Sequence, residues 1–261
     1  MAVDQNAAML LKRFASLENQ RETWESHWQE IADYVVPRKA DVTKVRSPGD
    51  KRSELIFDGT AIHAAELLSA SLHGMLTNAS TSWFSLSFGD RELDGDDEAR
   101  EWLQSVEDVM YNSFNRSNFQ EQIHELYHDL ITFGTAVMFV EADDDFSLRF
   151  STRHISECYL SEDQNGRVDT VYRKFKMPAR AVMARFGAEN VSAKMLKKAD
   201  TDPYQMMPLV HAVYKRDERD VTKVDSQNKP IASVYLDPEE KIIISEGGFD
   251  EFPYMAPRFL K

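Results

Sequence analysis

Between positions 10 and 35 apolar side chains recur every three or four residues, at Leu10, Phe14, Leu17, Trp24, Trp28, Ile31 and Val35, interrupted only by Arg21. Residues three and four apart share a helix face, so this period predicts one long amphipathic helix. Its stripe is narrow and aromatic, which suits packing against another helix in the same subunit or in a neighbour. Pro37 ends it, because proline has no amide hydrogen and its ring clashes with the preceding turn. Beyond Pro37 the chain is polar to Arg52, with Lys or Arg at 38, 39, 44, 46, 51 and 52, and reads as an exposed basic loop.

A second helix is predicted from about Gly59 to Thr77, with Ala61, Ala64, Ala65, Leu68, Leu72 and Met75 on one side. The alternation in Trp83 to Phe88 suits a strand or an extended packing segment. Asp94, Asp96, Asp97 and Glu98 then mark a helix start, where carboxylates meet the positive end of the helix dipole. Trp102, Leu103, Val106, Val109 and Met110 are its expected buried face. After Ser117 and Asn118, which are good cap residues, Phe119, Ile123, Leu126, Leu130 and Phe133 define a fourth helix that stops at Gly134.

From there the period becomes that of strands, at 135–141, 146–151, 156–160, 168–175, 209–215, 232–236 and 242–245. Asn165-Gly166 supplies a hairpin turn, Asp143 to Asp145 a solvated hairpin tip, and a short helix runs from Pro178 to Phe186, closed by Gly187. The fold class is therefore α+β: a helical part over residues 1–134, then a largely antiparallel β-rich part over 135–261, read as one continuous unit because no linker forces two domains.

Composition narrows what such a chain can do. With 261 residues, 42% hydrophobic, it can bury one large core or two modest ones. No apolar run approaches the roughly 20 residues of a membrane span, and the N-terminus lacks a signal-peptide apolar core, so export and insertion are not expected. A single cysteine, Cys158, cannot form an internal disulfide. The formal charge of −13 disfavours a broad phosphate-binding surface; a wall that repels phosphate would instead let DNA slide past without sticking. Trp24, Trp28, Trp83 and Trp102 are expected mostly in the core, three of the four buried.

The sharpest catalytic pattern is His124-Glu125-Leu126-Tyr127-His128. Histidines at i and i+4 share a helix face and can bind Zn²⁺ while the glutamate acts on the metal-bound water, so a zinc-dependent metallopeptidase is the enzyme alternative. No third ligand stands at the usual spacings, since Ile131, Gly134 and Leu148 occupy them. The two histidines are then read as a solvated or intersubunit helix face. His154 and Cys158 lie four apart on an extended segment, roughly 13 Å along the chain, too far for a catalytic dyad. A half-buried cysteine and a surface histidine are expected. The chain has no phosphate-binding or nucleophile-elbow glycine motif. A DNA-binding accessory factor is a third possibility, against which the acidic balance speaks.

The order of segments resembles the portal, or head-to-tail connector, family of short-tailed bacteriophages. The resemblance is carried by RETWESHWQEIADYVVPRK (21–39), IFDGTAIHAAELLSASLHGMLTNASTSWFSLSF (56–88), FQEQIHELYHDLITFGTAVMFVE (119–141), FSTRHISECYLSEDQNGRVDTVYRKFKMPARAVMARFG (150–187) and FPYMAPRF (252–259). It implies a structural protein without enzymatic activity, metal or cofactor. It implies a homo-oligomeric ring, usually of twelve subunits, at one capsid vertex of the virion, assembled in the host cytoplasm. Double-stranded DNA would pass through the channel without sequence-specific binding. Major capsid and scaffolding proteins, the terminase large subunit and tail adaptor proteins would be its partners. These segments would form the wing; stem, clip and crown are expected in sequence beyond Lys261. In such a ring Phe14, Trp24, Trp28, Leu68 and Leu72 are the candidate subunit contacts.

Overall fold

The computed structural model describes residues 4–259 apart from 48, 91, 92, 94, 144 and 146. Asp94 of the expected acidic helix start, Asp144 of the hairpin tip and Phe146 of an expected strand lie outside the described residues. Contacts gather the chain into two units, one of residues 1–27 with 155–253 and one of residues 28–154 with 254–261. The first helix, α1 (Gln5–Val35), contributes to both, and the expected 134/135 boundary falls inside the second.

The first unit is built on a five-stranded sheet of order β3-β4-β5-β6-β7, antiparallel throughout: β3 (Cys158–Glu162), β4 (Val168–Pro178), β5 (Met206–Lys215), β6 (Ile231–Asp237) and β7 (Ile242–Phe249). Strand side chains alternate between faces, so each strand serves two layers. Tyr172, Val210 and Val234 meet Ala7, Leu10 and Phe14 of α1 on one face. On the other, Phe175, Leu209 and Ile244 meet α5 (Ala179–Phe186) and α6 (Ala193–Thr201) through Val182, Phe186 and Met195. Burying such side chains contributes about 1.5–3 kcal/mol each. The Asn165-Gly166 turn forms as its sequence predicts: Gly166 takes φ +73°, and Asp163 Oδ1 accepts the amides of Asn165 and Arg167. Helix α6 was not among the expected elements. Its start is fixed by Ser192, whose hydroxyl accepts the Met195 amide and donates to the buried Asp237 carboxylate.

Arg21, the break in the first stripe, is an anchor within this unit. Its guanidinium donates to the carbonyls of Ile155, Ser156 and Cys158, pairs with Glu25 at 2.6 Å and lies 3.6 Å from the Tyr159 ring centroid. Cys158 is fully buried rather than half-buried, because it begins β3 beneath this cap.

In the second unit α2 (Thr60–Leu76), α3 (Asp97–Arg116) and α4 (Phe119–Phe133) accompany a three-stranded antiparallel sheet of order β2-β1-β8: β1 (Val137–Asp143), β2 (Ser147–Arg153) and β8 (Tyr254–Met255). Helix α4 lays Phe119, Ile123 and Leu126 on Ala136, Met138 and Phe150, the stripe its period predicts. Gly134 ends it in the left-handed region at φ +75°, which favours glycine. Asn118 does not cap α4; its amide is spent on both backbone groups of Phe150 in β2, while the Ser117 hydroxyl accepts the Phe119 amide. Trp83 to Phe88 is the extended packing segment, not a ladder strand. Its amides at 83 and 84 donate to the Tyr111 hydroxyl, and Trp83 stacks on Phe119 at 5.7 Å.

Candidate functional site

Three places carry the sequence-derived candidates: the histidine face of α4, the basic segment after α1, and the apolar helix faces. On α4, His124 and His128 do share a face, but that face is covered by α2 of the same unit. The His73 ring lies 5.5 Å from that of His124, the Ser69 hydroxyl donates to the His124 carbonyl, and His128 Nε2 stands 3.4 Å from Glu66. The expectation of a solvated or intersubunit face is thereby corrected. Ala65 and Ser69 are small enough to let α2 approach closely. Glu125 is committed elsewhere, to Lys39 Nζ at 2.9 Å. Among the described residues no three His, Cys, Asp or Glu side chains are gathered so as to hold a metal ion. His154, expected at the surface, is part-buried, with Nε2 at 2.9 Å from the Lys39 carbonyl and its ring against Phe133.

The basic segment is not a free loop either. Lys39 pairs with Asp129 at 2.5 Å, Lys44 and Arg46 with Asp33, and Arg46 and Arg52 with Asp41. Gln29, on the last turns of α1, organises the fold-back. Its Nε2 donates to Asp33 and to the Ala40 carbonyl, and its Oε1 accepts the amides of Val42, Thr43 and Lys44. Burial pushes the Asp33 carboxyl up, yet Lys44 and Arg46 outweigh it and hold the group below its ordinary value. At Asp41 the Arg52 hydrogen bond dominates and lowers the carboxyl. Asp129 goes the other way, raised by burial that Lys39 only partly offsets. Four of the six cations are thus neutralised by the unit's own carboxylates, and Arg38 and Lys51 stay exposed. Sequence reasoning missed this because nothing in a charge run says where its counter-ions come from.

Of the five candidate contact residues, Phe14 (6% exposed) and Trp28 (7%) are spent on their own cores and have no surface to offer. Trp24 (58%) and Leu68 are exposed, and Leu72 is half-buried. Residues not singled out join them, notably Met75 (80%) on α2 and the Phe88–Trp102 stack beside α3. Trp102 (58%) and Val109 were expected in the core. Leu103, from the same expected face, is buried as expected, and with Trp83 half-buried only Trp28 of the four tryptophans is buried. Of the expected side of α2 Ala65 is buried, joined by Ser69, while Ala61, Ala64, Leu68 and Met75 are exposed and Leu72 is half-buried.

No helix among the described residues is long and apolar enough to cross a membrane. Residues 7–261 match the family described as bacteriophage head to tail connecting protein. The chain belongs to this family. It is 34% identical over 254 residues to the portal protein of Salmonella phage epsilon15, which covers 96% of this chain and 46% of that protein. It is 32% identical over 263 residues to a probable portal protein of Bordetella phage BPP-1, with coverages of 99% and 47%. The chain therefore spans about half the length of the curated relatives it matches. The connector family is a structural one, and the His124–His128 pattern lies within the matched region; both favour the connector over the metallopeptidase alternative.

Proposed function

We propose that this chain is the wing portion of a portal subunit, which with copies of itself forms the ring at one capsid vertex that joins head to tail. The observation that carries the reading is the match to the connector family over residues 7–261, together with two portal relatives at 32–34% identity. In this reading the ring holds about twelve copies, major capsid and scaffolding proteins surround it, the terminase large subunit docks during packaging, and tail adaptor proteins dock afterwards. DNA enters and leaves through the channel. Two physical features support it. The formal charge of −13, with four of the six cations of the 38–52 segment paired to carboxylates of the same unit, disfavours a broad phosphate-holding surface. The exposed apolar side chains Trp24, Leu68 and Met75, with half-buried Leu72, suit burial against neighbouring subunits.

Electron microscopy of the full gene product and mass spectrometry of purified virions test the reading together. Ring-shaped particles, and this polypeptide in virions at a copy number near that of the ring, are expected. A product that stays monomeric at high concentration and is missing from virions would overturn it.

A further inference from the structure

Charge is distributed unevenly along this chain. Between Asp90 and Asp108 nine carboxylates stand against two arginines; between Arg173 and Lys198 eight cations stand against one carboxylate, Glu189. Although Arg173, Lys174, Lys194 and Lys198 are paired with Glu157, Glu18 and Glu239, Lys176 and Arg180 have no ion pair among the described residues. Each stretch contributes to a surface that also shows apolar side chains. On α3, Trp102 and Val109 are exposed, Phe88 stacks on Trp102 with ring centroids 5.9 Å apart, and Glu98, Glu101 and Asp108 are exposed on the same helix without an ion pair among the described residues. At one end of the five-stranded sheet, Lys176 and Arg180 are exposed near Tyr204 and Met206, which are themselves exposed. The register pairs Pro178 with Met206, and the Arg180 guanidinium lies 5.3 Å from the Tyr204 ring centroid.

The two surfaces match in kind and oppose in sign. Each has an aromatic centre; Glu98, Glu101 and Asp108 are exposed beside one, and Lys176 and Arg180 beside the other, where Asp202 is an exposed carboxylate next to Tyr204. Either surface placed against its own copy would set like charges together, which electrostatics opposes. Acidic against basic satisfies both, and a guanidinium brought over the open Trp102 face adds a cation–π contact. A contact between two different surfaces of identical chains is heterologous. It propagates from copy to copy and closes when the rotation allows.

We propose that α3 of one copy, through Trp102, Glu101 and Asp108, docks on the Lys176, Arg180 and Tyr204 surface of the next copy. The proposal rests on the connector reading above and adds to it which faces meet.

The test is a charge exchange between copies of the whole chain, read by sedimentation. One variant carries Glu101→Lys with Asp108→Lys, the other Lys176→Glu with Arg180→Glu. All four positions are exposed, so each variant keeps its melting temperature. Each alone is expected to associate at least about tenfold more weakly than the natural sequence, and an equimolar mixture of the two to recover association. The milder Glu101→Gln with Asp108→Asn gives an intermediate loss. A natural chain that assembles while both reversals leave it unchanged overturns the contact and leaves the connector reading standing. A natural chain that never associates overturns both. Reversals that change the sedimentation coefficient of the monomer without weakening association show that the two surfaces meet within one chain, which also overturns the contact.

Discussion

Gln29 shows how much structure one uncharged side chain can hold. Its amide satisfies three successive backbone N–H groups at Val42, Thr43 and Lys44 and one carbonyl at Ala40, groups that would otherwise be partly buried without partners. Gln29→Leu keeps the volume and removes every one of these bonds. It is expected to cost about 2–3 kcal/mol and to speed amide exchange at 42–44, which hydrogen-exchange mass spectrometry would detect. Unchanged exchange there would show that the fold-back stands on its ion pairs alone. Those pairs carry a pH signature. The Asp33 and Asp41 carboxyls sit below their ordinary 3.8 in the folded chain, so their stabilisation is complete above that value and is lost as pH falls through the folded-state value. Asp129 is raised, so the stability it contributes as a protonated acid is lost as pH rises through its folded value. Asp33→Asn is therefore expected to cost about 2 kcal/mol at neutral pH and to flatten the loss of stability below about pH 4, measured by urea unfolding across that range.

At the scale of elements, α4 and α2 separate what a sequence states from what it leaves open. The stripe of α4 repeats at helical spacing against polar neighbours, and it is the stripe that is buried. Helix α2 carries Leu or Ala on nearly every side, so periodicity had no contrast to work with; only contact with α4 selects the Ala65/Ser69 line and leaves Leu67, Leu68 and Met75 outside. The expected face of α3 joined two adjacent stripes, and the structure buries Leu103, half-buries Val106 and Met110, and leaves Trp102 and Val109 exposed. Helix α6 escaped because it is nine residues long and rich in lysine, although Ser192 ahead of it was a readable cap signal. The ion pairs of the basic segment join residues up to 90 positions apart, beyond any local pattern. A consequence for α2 can be measured. Leu68→Glu with Met75→Glu alters only the uncovered side, so the melting temperature should move by no more than about 2 °C, consistent with the small effect of surface changes. Association of copies should fall if that side is covered by a neighbour. A large loss of thermal stability would mean that the side is needed by the chain's own fold.

For the whole molecule, net charge and local charge pull association in opposite directions, and range decides between them. The unit of residues 28–154 and 254–261 holds twenty-three carboxylates against thirteen cations, the other twenty-one against eighteen, so the −13 is carried as −10 and −3. Two such chains with centres taken ~40 Å apart repel by about 5 kcal/mol at 0.01 M salt, where the screening length is about 30 Å, and by well under about 1 kcal/mol at 0.1 M. A complementary contact acts across a few ångströms, survives 0.1 M salt, and loses most of its small gain, of order 1 kcal/mol per exposed pair, near 1 M. Association is therefore expected to be strongest near ~0.1 M and weaker on both sides, a profile that sedimentation at a series of salt concentrations would trace. The low-salt arm should appear in any variant that keeps the net charge, whereas the high-salt arm should vanish with Glu101→Gln and Asp108→Asn. Association that climbs steadily to 1 M would mean that apolar burial alone joins the copies and that the opposed charges of α3 and the β4–α5 corner do not meet.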